Sequence, residues 1–103
     1  MRNWIIKMEK NGIILYEKAN NFIFDFLVKE ILNPYKGVLI EKIDDGFDTK
    51  YYDFSIDKYF FTLHQTPMLG ILFFPTENKS LKEDFSFYEE LSSLLKNRLN
   101  DKI

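Results

Sequence analysis

Hydrophobic and polar positions along this chain follow two periods. Residues 4–9 alternate loosely, Asn11-Gly12 follows, and Ile13 to Tyr16 come next. Asn-Gly is a preferred two-residue hairpin turn, because both central residues take positive φ. The pattern predicts a hairpin that pairs Met8 with Leu15 and Glu9 with Ile14. Residues 20–32, NNFIFDFLVKEIL, switch to the helical period. Asn20 or Asn21 can cap this helix. Asp25, Lys29 and Asn33 lie four apart in one narrow polar stripe, and Phe22, Ile23, Phe26, Leu27 and Ile31 occupy most of the remaining circumference. So narrow a stripe predicts a mostly buried helix. Asn33-Pro34 ends it, because the residue before proline disfavours the α region.

Strand-like segments return after the proline. Residues 37–43 form the first, closed by the turn Asp44-Asp45-Gly46; residues 48–56 and 59–66 form the next two. The last strand, 69–74, lies between Pro67 and Pro75. MLGILFF at 68–74 is apolar without alternation, as expected of a strand that is central or covered on both faces. The C-terminal segment is helical. Ser80-x-x-Glu83 and Ser86-x-x-Glu89 both read as capping boxes. Tyr88, Leu91, Leu94 or Leu95, and Leu99 follow the helical period, and Lys96 and Arg98 suit the negative end of the helix dipole. The predicted order is ββαββββα. It describes one α+β domain over residues 1–103, a mainly antiparallel six-stranded sheet packed with two helices.

The stretch GFDTKYYDFSIDKYFFTLH at 46–64 carries the most detail. Ile56-Asp57-Lys58-Tyr59 can close a two-residue hairpin, with Lys58 where glycine would ordinarily supply positive φ. That register sets Ile56 opposite Tyr59, Phe54 opposite Phe61 and Tyr52 opposite Leu63 on one face, which should pack under the helices. The other face then carries Tyr51 opposite His64, Asp53 opposite Thr62 and Ser55 opposite Phe60. Tyrosine and histidine among carboxylates suit polar recognition.

Composition narrows the function classes. The chain has 103 residues, 46% hydrophobic and 29% charged, with no cysteine, so disulfides, thiolate metal sites and a cysteine nucleophile are excluded. No segment reads as a secretory signal or as a span of the ~20 apolar residues a membrane helix needs, which predicts a cytoplasmic protein. The net charge of −2 is unevenly placed. Residues 41–57 hold six acids against two bases, and residues 77–90 hold five acids against two. This argues against direct nucleic-acid binding and favours an acidic face for a basic partner. His64 is the single histidine, so no histidine metal site is expected. His64 and Asp53 are diagonal neighbours, a poor acid–base pair. Asp44-Asp45-Gly46-Phe47-Asp48 lacks the spacing and closing glutamate of a calcium loop. With no Walker loop and no GxGxxG, no cofactor is expected and an enzyme is not the leading reading.

The segment DGFDTKYYDFSIDKYFFTLH, followed by GILFFP and a C-terminal amphipathic helix, resembles the immunity proteins of bacterial contact-dependent growth inhibition systems. The resemblance covers roughly residues 36–100. It implies a non-enzymatic, cytoplasmic antitoxin that binds the toxic C-terminal domain of its cognate effector and blocks the active site or substrate access. The expected partner is a basic nuclease domain, held one to one by an otherwise monomeric chain. The candidate contact residues are Asp44, Asp45, Asp48, Tyr51, Asp53, His64, Glu77 and Glu83. The rival readings are a small structural or adaptor protein that self-associates through its sheet, and an unrecognised enzyme.

Overall fold

The computed structural model describes residues 13–76 and 85–102. Along them run β1 (Ile13–Tyr16), α1 (Asn21–Leu32), β2 (Val38–Asp44), β3 (Lys50–Ile56), β4 (Tyr59–Thr66), β5 (Gly70–Pro75) and α2 (Phe85–Lys102). The strands form one antiparallel sheet in the order β1-β5-β4-β3-β2. This is an α+β domain with a five-stranded sheet and two helices. The expected strand at 4–9, its Asn11-Gly12 turn, and the Ser80-x-x-Glu83 box lie outside the described residues.

The β3–β4 hairpin has the register that alternation predicts. Ile56 faces Tyr59, Phe54 faces Phe61 and Tyr52 faces Leu63. The turn differs in one respect. Asp57, not Lys58, has positive φ, at +58°. Aspartate tolerates this region better than lysine because its short side chain can hydrogen-bond locally. Across the sheet, Phe73 extends the same face, and the rings of Phe54, Phe61 and Phe73 stand 5.6 and 5.1 Å apart in sequence. Each ring is fully buried and contributes roughly 1.5–3 kcal/mol. β5 lies between β1 and β4, and Ile71, Leu72 and Phe73 are all buried, which explains its unbroken apolar run.

Asn20 caps α1 by accepting the Ile23 N–H at 3.1 Å. Ile23, Phe24, Leu27 and Ile31 face the sheet. The expectation of a mostly buried helix needs correction, because Phe22 is 87% exposed. At 100° per residue, Phe22 falls between Lys29 and Asn33 on the polar side. Glu30 instead lies inside, where its carboxylate accepts the Arg98 Nε–H of α2 at 2.8 Å and ties the two helices. The helix stops after Leu32 as read from Asn33-Pro34. Asn33 itself stays near the α region, and the chain turns out through Lys36 at φ +58°.

α2 packs through Tyr88, Leu91, Leu95 and Leu99. Leu95, not the half-exposed Leu94, continues the stripe. Tyr59 stacks on Phe87 at 3.9 Å and meets Tyr88 edge-on, locking α2 onto β4. Ser86 lies inside α2 and not ahead of it, so the Ser86-x-x-Glu89 pattern does not cap this helix.

Candidate protein-interaction surface

The face of the sheet away from the core helices carries the polar set expected from register. Ile43, Tyr51, His64, Leu72 and Ile14 form one row across all five strands. Tyr51 stacks on His64 with ring centroids 3.9 Å apart. His64 Nδ1 donates to the Lys50 carbonyl at 3.0 Å, which leaves Nε2 as the ring's other hydrogen-bonding atom. The next row holds Glu41, Asp53, Thr62 and Phe74. Thr62 donates its hydroxyl to Asp53 at 2.7 Å, so the Thr76 hydroxyl, 2.9 Å away, must donate to Thr62. His64 and Asp53 are therefore engaged with different partners and are not brought together. Among the described residues no group of three or more His, Asp or Glu is placed to hold a metal ion.

The aspartates at the β2–β3 connection separate into three roles. Asp44 accepts the Lys50 ammonium at 2.9 Å and the Gly46 N–H at 2.8 Å. The Lys50 hydrogen bond, then the Gly46 N–H, hold the Asp44 carboxyl below its usual pKa, and the same contact raises Lys50. Asp45 accepts the Phe47 and Thr49 N–H groups, so its carboxylate builds the turn. Asp48 uses its backbone carbonyl, and its carboxylate has no hydrogen bond to a described residue. Of these three acids, only Asp48 keeps a carboxylate uncommitted within the described structure. Glu77 and Glu83 lie outside the described residues.

Sequence reasoning missed the group that organises this end of the molecule. Gln65 is fully buried on the core face of β4. Its Oε1 accepts the Asn20 N–H at 2.9 Å, and its Nε2 donates to Asn21 Oδ1 at 2.9 Å and to the Asp48 carbonyl at 3.0 Å. Asn21 Nδ2 in turn donates to the Phe47 carbonyl. One side chain thus fixes the start of α1 and the β2–β3 connection to β4. The available signal was spacing, since Gln65 lies two residues beyond Leu63 on the core side.

Around this anchor stand the three most exposed large apolar side chains among the described residues. Phe22 starts α1, Phe47 tops the β2–β3 connection at 77% exposure, and Met68 tops the β4–β5 connection at 88%. The meander brings both connections and the start of α1 to one end of the sheet. Adjoining them, β2 is exposed along all seven residues, including Val38, Leu39, Ile40 and Ile43. Exposed Phe and Met side chains grouped in this way are of the types enriched at protein interfaces.

Open grooves lined by described residues lie elsewhere. One of about 450 Å³ runs between β1 and the end of α2, and one of about 200 Å³ lies between Ile56 and α2. Neither is lined by His64. Among the described residues no helix is long and apolar enough to cross a membrane.

The fold and this surface define a small α+β chain with an anchored, partly apolar and acidic end. Compared with known proteins, the chain matches no family model, no curated protein and no solved structure.

Proposed function

We propose that this chain is an immunity-type inhibitor, a cytoplasmic antitoxin that binds the toxic C-terminal domain of a cognate effector and blocks its active site or substrate access. The target we favour is a nuclease domain with a basic cleft, bound one to one. The observation that carries this reading is the end of the sheet where Phe22, Phe47 and Met68 stand exposed around the Gln65 anchor, with Asp48 beside them. Aromatic and methionine side chains supply contact area, and carboxylates steer a basic partner toward it. Tyr51, Asp53 and His64 extend the surface along the sheet. The turn-building role of Asp45 makes it a poor contact candidate, because its carboxylate is committed to Phe47 and Thr49.

The test is co-expression with the C-terminal domain of a large secreted effector encoded immediately upstream. Growth protection and a one-to-one complex by light scattering are expected. Phe22→Ser with Phe47→Ser should abolish protection while leaving the fold intact. Asp48→Lys should slow association and flatten its dependence on salt. Absence of both protection and complex, or association rates that ignore salt, would overturn the reading. A second reading, self-association through a sheet edge, is favoured by the exposure of β2. It predicts a dimer of the isolated chain.

A further inference from the structure

We infer that the β2 edge receives an extended strand from a different protein, with a basic side chain seated against Glu41 and Asp53. Among the described residues β2 is paired only on its β3 side, so alternate residues direct N–H and C=O groups away from the sheet. An extended segment can add there, gaining main-chain hydrogen bonds and selecting side chains by alternation.

The charges state the occupant's chemistry. Glu41 faces Asp53 directly across the β2–β3 ladder on the face away from the core helices. Like charges so placed repel one another. The two bases of β2 and β3 are on the opposite face. Lys42 faces Tyr52 and holds its ammonium 5.5 Å from that ring, and Lys50 pairs with Asp44. A cationic side chain from an added strand would relieve the Glu41–Asp53 repulsion, and apolar residues two positions away would cover Ile43 and the Val38 side.

A second copy of this chain would leave that pair unrelieved. A two-fold antiparallel pairing of β2 with itself keeps each residue on its own face, so the second copy's Lys42 falls on the core side and brings no cation to Glu41 and Asp53. The inference depends on the partner being a different protein and not on that protein being a toxin.

The test uses the whole chain and three N-acetylated nonapeptides of alternating threonine and valine. One carries a central arginine, one a central glutamate, and one the arginine with alternate backbone nitrogens methylated. Titrations are followed by amide NMR shifts and by hydrogen exchange. The arginine peptide should shift and protect amides of residues 38–44. Exchanging arginine for glutamate should weaken binding about tenfold. Methylation should abolish it. Glu41→Lys should reverse the arginine–glutamate preference without altering the remaining spectrum. The inference is overturned if millimolar arginine peptide leaves the β2 amides unshifted, if the peptides bind elsewhere, or if β2 protection rises with the concentration of the chain alone. That last result would mark the second copy as occupant. Peptide capture and growth protection can each succeed while the other fails, so the two ideas are separable.

Discussion

Replacing Gln65 by leucine keeps nearly the same volume and removes three hydrogen bonds at once. Asn21 is exposed and can recover its lost partner from water. The Asn20 N–H and the Asp48 carbonyl sit at partly buried positions beside a side chain with no exposure. Leaving each of those two groups unpaired costs about 1–3 kcal/mol, or roughly 2–6 kcal/mol together. Leucine recovers roughly 1–2 kcal/mol through apolar burial. The midpoints of these ranges give an expected net loss of about 2–3 kcal/mol. For a domain of this size, that lowers Tm by roughly 10–20 °C. Urea and thermal unfolding followed by far-ultraviolet circular dichroism give the total. Amide exchange gives the location, because the Asn20 amide and the β2–β3 connection should open before the centre of β4. Gln65→Glu retains the acceptor for Asn20 and loses both donors, so it should also destabilise at pH 7. A Gln65→Leu variant as stable as the parent would refute the claim that this side chain anchors the end of the sheet.

Gly70→Ala should destabilise far more than Gly46→Ala. Both glycines have positive φ, but a methyl group at Gly70 would strike the backbone of Tyr16, Glu17 and Lys18, whereas Gly46 has open space. The Gly46 change should cost about 1–2 kcal/mol, and thermal scans of the two variants side by side decide this. Asp44→Asn should lower the urea midpoint at neutral pH. A carboxyl whose pKa falls on folding stabilises the fold above its unfolded value, near 3.8, and loses that contribution as pH falls through the lower folded value. The gap between parent and Asp44→Asn should therefore close below pH 3.8, and a gap unchanged at pH 2 would refute the Lys50 pairing. Phe22→Ser and Phe47→Ser should each move stability by less than about 0.5 kcal/mol, since both rings are exposed.

The β3–β4 hairpin was legible because strict alternation over two adjacent strands leaves one register that buries Tyr52, Phe54, Phe61 and Leu63 together. The Asn20 cap and the buried side of α1 were legible from local chemistry and helical period. Phe22 departs from that pattern because, although apolar, it falls on the arc between Lys29 and Asn33 that faces solvent. The position of β1 beside β5 depends on a connection that crosses the sheet, which no local pattern encodes. The turn at Asp44-Asp45-Gly46 was legible from its residue types, but the roles of the carboxylates near it were not separable from sequence. A carboxylate that builds a turn, one paired with lysine and one left to solvent look alike until neighbours are placed. Gln65 was overlooked because a glutamine at a strand end reads as surface, although its spacing from Leu63 pointed inward.

The ladder shift in β2 bears on how this chain can change length. Leu39 faces Phe54 and Glu41 faces Asp53, so Ile40 is one residue more than the pairing requires. Deleting Ile40 would make Leu39 and Glu41 consecutive and leave both on their present faces, whereas deleting a residue from β4 would invert half of the core. The outer strand is thus a place where the chain has room for an insertion or a loss, and variants of length 102 lacking Ile40 should keep the hydrophobic interior while presenting a flatter edge.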